Sequence, residues 1–265
     1  MGHGIIRKKI KNWLITGDTH GKVITRLCKI DESYNPEETA LIILGDAGIN
    51  YYLNKTDEKY KKIINESGYV VYCVRGNHEE RPENLPFILW AHDDNVDDMV
   101  IIEPDYPNIR YFVDGWDYKI NGCNTLILGG AYSVDKWYRL GRYGATTENP
   151  ESKKTGWFPE EQLSLEEIED IEKLWTGKSF DIILSHTCPE SFEPKDLFLP
   201  GLDQSTIDKT MEKWMDEFKD KINWKLWLFG HFHADRIIEP GVEMFYHGIK
   251  DLNDIILEHE VLKNE

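Results

Sequence analysis

The sequence predicts an α/β domain with mixed β-sheets. Short apolar runs that end in a glycine or a polar cluster recur along the chain, for example in residues 12–18, 40–46 and 181–186. Amphipathic helical patterns lie between many of these runs. Continuous runs rich in Ile, Val and Leu are typical of strands covered on both faces, and their alternation with helices is typical of α/β folds.

Six apolar runs are predicted as strands and three amphipathic segments as helices. The predicted strands lie in residues 12–18, 40–46, 69–77, 125–130, 181–186 and 225–231. The predicted helices lie in residues 55–67, 159–175 and 205–220, and Pro159 suits a first helical turn. The third helix carries an apolar stripe that is expected to face the core, formed by Ile207, Met211, Trp214, Met215 and Phe218.

Three further segments interrupt the alternation of strands and helices. Asn121 and Gly122 separate two strand-like runs within residues 115–130, which predicts a β-hairpin. Residues 131–144 are dense in aromatic and arginine side chains and are predicted as a loop. The acidic stretch 92–99 is predicted as a solvated surface loop.

Length, charge and cysteine pattern narrow the class of protein. The 265 residues suit one domain spanning 1–265. The net charge of −17 argues against nonspecific binding of duplex DNA. The four cysteines show no CxxC spacing, so we expect reduced thiols and a cytoplasmic location. No apolar run approaches the length of a membrane span, and the oligomeric state stays open.

Polar side chains with metal-binding chemistry follow several of the predicted strands. In open α/β sheets, ligands bind beyond the carboxyl ends of the strands, so these residues are expected to share one edge. The residues in question are Asp18, His20, Asp46, Asn77, His78, His186, His231 and His233. Imidazole, carboxylate and amide without thiolate indicate a pair of divalent first-row metals, with manganese, iron, zinc and nickel all left open.

The spacing of two residues within the DxH and HFH motifs supports the same reading. If these segments are extended, His231 and His233 point the same way while Phe232 turns into the core. Taken singly, Asp18 and Asp46 also suit helix N-caps, and Asn77 suits a left-handed turn. His186 alone suits a hydrogen-bonded core histidine. Considered jointly, the set favours metal binding.

Five motifs together resemble the calcineurin-like metallophosphoesterase family, whose pattern is DxH, GDxxD, GNH[DE], H and GHxH in that order. They appear here between residues 18 and 233, as Asp18 and His20, Gly45 and Asp46, Gly76 to Glu79, His186, and Gly230 to His233. The resemblance implies a sandwich of two mixed sheets flanked by helices. It also implies that Asp18, His20, Asp46 and His233 hold one metal.

The resemblance implies that Asp46, Asn77, His186 and His231 hold the second metal. Asp46 would then bridge the two metals. His78 is implied as the catalytic residue that protonates the leaving alkoxide or steadies a phosphoryl oxygen. Two cations lower the pKa of a shared water and clamp the phosphate, so hydrolysis by a metal-bridging hydroxide is the expected chemistry. Manganese, iron, zinc or nickel is the expected cofactor.

The chain departs from the family pattern after Asp46. Ile49 stands where GDxxD requires Asp, and Asn50 stands where the protein phosphatase branch has Arg. Arg75 matches an arginine of that branch and is a candidate for substrate binding. Lys136, Arg139 and Arg142 in residues 131–144 are further candidates, because arginine suits bidentate phosphate contact. The alternative interpretation of residues 131–144 is a surface loop whose arginines pair with acidic side chains.

The expected activity is therefore hydrolysis of a phosphate ester. The complete GHxH motif favours a phosphodiester or nucleotide-type substrate. A serine/threonine phosphoprotein phosphatase is the alternative, and a non-catalytic scaffold of the same fold is a third possibility.

Overall fold

The computed structural model describes residues 9–198, 200–201 and 204–264. Its strands are β1 (Asn12–Thr16), β2 (Thr39–Leu44), β3 (Val70–Val74), β4 (Leu89–Asp93), β5 (Asp98–Ile102), β6 (Ile109–Tyr111), β7 (Asp117–Ile120), β8 (Cys123–Leu128), β9 (Ile182–Ser185), β10 (Leu226–Phe229), β11 (Arg236–Glu239), β12 (Val242–Met244) and β13 (Ile249–Asp251). Its α-helices are α1 (Val23–Leu27), α2 (Lys55–Glu66), α3 (Lys136–Tyr143), α4 (Ser152–Thr155), α5 (Leu165–Trp175), α6 (Thr210–Phe218) and α7 (Leu252–Leu262).

The strands form two mixed sheets, which confirms the predicted fold class. The first has seven strands in the order β13-β1-β2-β3-β6-β5-β4, and the second has six in the order β11-β12-β10-β9-β8-β7. Strands β1, β2, β3 and β6 run parallel in the first sheet, as do β8, β9, β10 and β12 in the second. All six predicted strands are present.

The two sheets pack face to face and helices cover their outer faces. The central apolar cluster takes Ile42 and Tyr72 from the first sheet and Ile127 and Leu184 from the second. Helices α5 and α6 pack on the outer face of the second sheet, and α2 packs on the first. Coverage on both faces explains the continuous apolar runs.

The hairpin predicted at Asn121 and Gly122 is confirmed. Strands β7 and β8 pair antiparallel, with Ile120 opposite Cys123. Asn121 and Gly122 have φ angles of 52° and 81°. Positive φ at both central residues is the requirement of a type I′ turn, which asparagine and glycine meet at the lowest cost.

The prediction of a solvated loop at residues 92–99 is wrong. Strands β4 and β5 form an antiparallel hairpin through this stretch. Asp93 is 1% exposed and is bound by the Tyr72 hydroxyl and the Arg110 guanidinium. The acidic composition of this stretch did not indicate that Asp93 is buried, because its partners Tyr72 and Arg110 lie far away in the sequence.

One predicted loop and two predicted helix starts also differ from the predictions. The second predicted helix starts at Leu165 rather than 159 and is capped by Ser164, so Pro159 lies outside it. Residues 136–143 of the predicted loop form helix α3, which ends at Gly144 in the left-handed conformation. The third predicted helix starts at Thr210 rather than 205, so Ile207 lies outside it. The remaining stripe is buried as expected: Met211, Trp214, Met215 and Phe218. None of the helices among the described residues has the length and apolarity needed to cross a membrane.

Candidate metal centre

The first group of polar side chains gathers around Asp18, just beyond the end of β1. The Asp18 carboxylate is buried, and its Oδ2 lies 3.1 Å from His233 Nε2 and 3.7 Å from His20 Nε2. The two histidine nitrogens lie 2.9 Å from each other. The other carboxylate oxygen, Oδ1, accepts a hydrogen bond from the backbone N–H of His231 at 2.9 Å. Asp18 thus joins the ends of β1 and β10, one strand from each sheet.

The second group gathers around Asp46, beyond the end of β2. Asp46 Oδ2 lies 3.8 Å from His20 Nδ1, and Oδ1 lies 3.8 Å from His186 Nε2. The carboxylate therefore has one oxygen directed to each group. His186 Nε2 lies 2.8 Å from Asn77 Oδ1, and the His186 and His231 ring centroids are 5.0 Å apart. The seven predicted ligands are brought together from five strand ends.

Glycines let these strand ends approach one another. A Cβ atom on Gly45, which has φ of +90°, would lie 2.0 Å from His186 Nδ1. A Cβ atom on Gly76 would lie 2.1 Å from both the backbone nitrogen and Oδ1 of Asp46. Real Cβ atoms do not approach other atoms this closely, so both positions require glycine.

The backbone at the paired histidines is not extended, which corrects the expectation for the DxH and HFH motifs. His20, His231 and His233 have φ angles of 45°, 66° and 55°. Such left-handed conformations are strained for residues other than glycine and are enriched at functional sites. Tight turns, rather than strand alternation, bring these imidazoles together. Phe232 does pack against the apolar cluster of the second sheet, as expected.

The electrostatics favour the protonation states that metal ligands need. Burial raises the pKa of Asp18, but the hydrogen bond with His233 and the charge of His186 more than offset this, so the pKa is lowered. Burial opposes ionisation of Asp46 as well, yet the neighbouring His186, His78 and His20 hold its pKa well below the usual value. Both carboxylates are therefore ionised near neutral pH.

The histidines divide into two kinds. Burial lowers the pKa of His231 to about 3 and also lowers the pKa of His20. A hydrogen bond with Asp18 raises the pKa of His233. Neutral imidazoles and ionised carboxylates are the forms that bind metal, and metal binding displaces any remaining proton.

The donor atoms fit metal ions. His186 Nδ1 lies 2.8 Å from the Leu44 carbonyl, which can only accept, so Nδ1 carries the hydrogen and Nε2 keeps a lone pair. In a neutral ring this lone pair faces the Asn77 amide oxygen at 2.8 Å, and a cation beside the two acceptors relieves their repulsion.

The orientation of Asn77 has further support from outside the ligand set. The Asn77 Nδ2 donates to the Ser133 hydroxyl oxygen at 2.8 Å. Burial raises the pKa of Glu161, and a hydrogen bond from the Ser133 side chain opposes that rise. Because the Ser133 hydroxyl gives its hydrogen to Glu161, its oxygen is left to accept from Asn77. The amide oxygen of Asn77 is then directed to the metal-binding atoms.

His78 lies at the same edge but contacts the donors differently. Its backbone N–H donates to Asp46 Oδ1 at 2.8 Å, and its ring centroid is 6.1 Å from that of His20. The ring Nδ1 is buried and has no hydrogen-bond partner among the described residues. Burial lowers its pKa, and Asp135 is among the charges that act on it. Ile49, at the position of the family Asp, lies in an apolar cluster.

A cleft of about 610 Å³ opens over the donor atoms. His20, Asp46, Asn77, His78, His231 and His233 line its floor. Its outer walls are formed by aromatic and aliphatic side chains with a few charged ones: Tyr51, Tyr52, Tyr60, Tyr132, Val134, Asp135, Arg139, Glu193, Leu197, Phe198, Ile207, Lys209, Glu212 and Phe232. A cleft of this size accommodates a drug-sized or nucleotide-sized molecule.

Only one of the four cations predicted to bind substrate lines the cleft. Arg139 does so, while bound to the Tyr51 hydroxyl, the Gly156 carbonyl and Asp135. Arg75 is buried behind the site, where it binds Asp114 and three backbone carbonyls, so we do not retain it as a substrate residue.

Lys136 and Arg142 do not line the cleft either. The Lys136 ammonium lies 4.5 Å from the centroid of the Trp157 ring, at a separate depression. Arg142 is exposed on α3 and lies over the Tyr143 ring. The helical path of residues 136–143 sends these two side chains away from the donor atoms.

The sequence analysis missed most of the outer cleft. Glu193, Phe198, Lys209 and Glu212 come from the chain between β9 and β10, and Tyr51 and Tyr52 come from the chain after β2. No spacing or motif in the sequence identifies these residues, because they come together only in the folded protein. The cluster of aromatic residues at 51–52 beside a ligand motif is the one local signal available.

A comparison with protein-family models identifies one match. The model described as calcineurin-like phosphoesterase matches residues 12–235, which is most of the chain. No curated protein matches the chain.

Proposed function

The chain belongs to the calcineurin-like phosphoesterase family, and we propose that it hydrolyses phosphate esters with two divalent metal ions. One observation carries the proposal. Asp18 and Asp46 are both buried at the floor of a cleft, and their oxygens lie within 4.8 Å of imidazole nitrogens in two overlapping groups. Two buried carboxylates so close together call for cations.

We assign the ligands in two sets. Asp18, His20, Asp46 and His233 would hold one ion, and Asp46, Asn77, His186 and His231 would hold the other. The placement of the two Asp46 oxygens, one toward His20 and one toward His186, supports a bridging role. Nitrogen and oxygen donors without thiolate suit manganese, iron, zinc or nickel.

The residues of the chain then have distinct tasks. Bound divalent ions would lower the pKa of a water molecule, and their positive charge would stabilise the phosphate oxygens. His78 lines the cleft beside Asp46, where its ring can donate a hydrogen bond to a phosphoryl oxygen or a proton to the leaving oxygen. The Asp46 carboxylate holds the His78 backbone in place through the N–H bond.

A phosphodiester or nucleotide-type ester is the favoured substrate class. The chain lacks the Asp and Arg of the protein phosphatase branch, and Arg75 is fully bound by Asp114 and carbonyls. A serine/threonine phosphoprotein phosphatase is the alternative, since the metal ligands are common to both branches. A non-catalytic scaffold is disfavoured because every ligand position is filled.

Hydrolysis of three chromogenic or labelled esters tests the proposal. Bis-4-nitrophenyl phosphate, 4-nitrophenyl phosphate and a phosphoserine peptide are compared with manganese, iron, zinc or nickel added. The Asp46→Asn and His78→Ala variants should each lose at least about 100-fold in kcat, in line with the loss of a metal ligand or a general acid. The exposed His92→Ala is the matched control. Full activity of both site variants would reject the enzyme assignment.

We also propose a cytoplasmic location for the protein. All four cysteines are free, which supports a reducing, cytoplasmic environment. The proposed partner is the phosphate-ester substrate.

A further inference from the structure

The charged side chains of the outer cleft neutralise one another. The Lys209 ammonium lies 2.7 Å from both carboxylate oxygens of Glu193, and the Arg139 Nε lies 2.7 Å from Asp135 Oδ2. These are the two cations among the described residues that line the cleft. Glu193 is almost completely buried, with its side chain 3% exposed. Both cations that line the outer cleft among the described residues are therefore already paired with a carboxylate.

A second phosphate on the substrate would meet an unfavourable environment here. To bind it, Lys209 would have to leave Glu193, and a buried carboxylate would lose its partner. Glu212 adds a further acidic group, 5% exposed, whose Oε2 has no hydrogen-bond partner among the described residues. Its Oε1 accepts from the Thr187 hydroxyl at 2.9 Å. The outer cleft is thus neutral to acidic.

The same walls offer flat apolar surfaces. Phe198 and Phe232 both line the cleft, with ring centroids 6.3 Å apart and planes at 18°. The Lys209 ammonium lies 4.7 Å from the Phe198 centroid, so a substituent would stack on the part of the Phe198 ring that Lys209 leaves uncovered. Tyr51 and Tyr52 face the cleft from the chain after β2, in an edge-to-face pair with centroids 4.9 Å apart. Aromatic rings bind a planar substituent through stacking, whatever polar groups that substituent carries.

We propose that the outer cleft binds the organic part of an ester with a single phosphate, and that this part is uncharged and carries a flat ring. This inference rests on the proposed function, since it takes the metal centre as the site of the phosphate. Substrates with a second phosphate in the outer cleft are disfavoured by the same charges.

Competition by three small ligands tests the inference. Adenosine 5′-monophosphate carries a ring and one phosphate, glycerol 1-phosphate lacks the ring, and adenosine 3′,5′-bisphosphate adds a second phosphate. Each is used to inhibit hydrolysis of bis-4-nitrophenyl phosphate by the manganese-loaded protein. The monophosphate should bind about tenfold more tightly than either of the others.

The Phe198→Ala variant identifies the wall responsible. It should weaken binding of adenosine 5′-monophosphate about tenfold and leave glycerol 1-phosphate unchanged, since stacking on one ring is worth roughly 5- to 150-fold in affinity. Phe87→Ala is the matched control, because Phe87 is 89% exposed and lies outside the cleft. Equal inhibition by the monophosphate and glycerol 1-phosphate, or tighter binding of the bisphosphate, overturns the inference.

Failure of the proposed function gives a different result. If no ester is hydrolysed with any metal, the enzyme assignment fails, and the three affinities are measured by calorimetry on the manganese-loaded protein instead. The same order of affinities in that experiment upholds the inference about the cleft, and any other order rejects it.

Discussion

Replacement of Ser133 by alanine probes how the protein sets one metal ligand without touching it. The Ser133 oxygen accepts the Asn77 amide at 2.8 Å, and both residues are buried. In the metal-free protein the Asn77 amide of the variant can turn by 180° and donate to His186 Nε2, which lies 2.8 Å away. With metal bound, the amide oxygen is fixed on the ion, so the amide nitrogen is left without a partner.

The cost of that unpaired donor falls mainly on the metal-bound state. A buried donor without a partner costs about 1–3 kcal/mol. Since 1.4 kcal/mol corresponds to tenfold in an equilibrium constant, we expect about 5- to 150-fold weaker binding of the ion held by Asn77. This range agrees with the roughly 10- to 100-fold losses seen when outer partners of metal ligands are removed.

Calorimetric titration with manganese measures the effect. The Ser133→Ala variant should show one weakened site, while the site built on Asp18 and His233 keeps its affinity. Ser191→Ala is the matched control, because it removes an exposed hydroxyl that donates to Asp216. Unchanged affinity at both sites of a folded Ser133→Ala protein, checked by circular dichroism, would refute the reasoning.

Three further predictions follow from other parts of the structure. Gly45→Ala should remove one of two bound manganese ions, measured by elemental analysis, because its Cβ would lie 2.0 Å from His186 Nδ1; Gly141→Ala, with open space around its Cβ, should keep both. Asp93→Asn should lower the free energy of unfolding in urea by about 3–5 kcal/mol, since it leaves the buried Arg110 without its counter-ion, and a loss below about 1 kcal/mol would contradict this. The pKa of the Glu212 carboxyl is about 7 in the folded protein, against an ordinary value of 4.5. The folded state therefore holds this proton more tightly, so the contribution of Glu212 to stability is present below about pH 4.5 and is lost as the pH rises through 7. Glu212→Gln should flatten the pH dependence of urea unfolding in that window, and an unchanged slope would count against the burial of this group.

Particular residues show why the convergence of the candidate ligands was predictable from the sequence. Asp18 and Asp46 follow neighbouring parallel strands of the first sheet, and His186 follows β9 of the second sheet, which packs against the first. The glycines before Asp18, Asp46, Asn77 and His231 lie at close approaches that the structure contains, such as the contact of Gly76 with Asp46. Local patterns were sufficient here because the site is built at strand ends.

The conformation of the histidine pairs could not be read from spacing alone. A separation of two residues fits both an extended segment and a tight turn, and the positive φ angles of His231 and His233 select the turn. Likewise, Asp93 looked like one more acid in a solvated stretch, because its partners Tyr72 and Arg110 lie on strands β3 and β6. Burial depends on packing across the chain, which composition does not report.

The sheet architecture, the family and the metal-binding candidates follow from the amino-acid sequence, because covered strands and the polar residues that end them are local features. The tertiary structure alone decided which side chains form the outer cleft. It removed Arg75, Lys136 and Arg142 from the cleft and brought in Phe198, Lys209 and Glu212. The physical reason is that a side chain's access and charge pairing depend on which distant segment packs beside it, as the pairing of Lys209 with Glu193 illustrates.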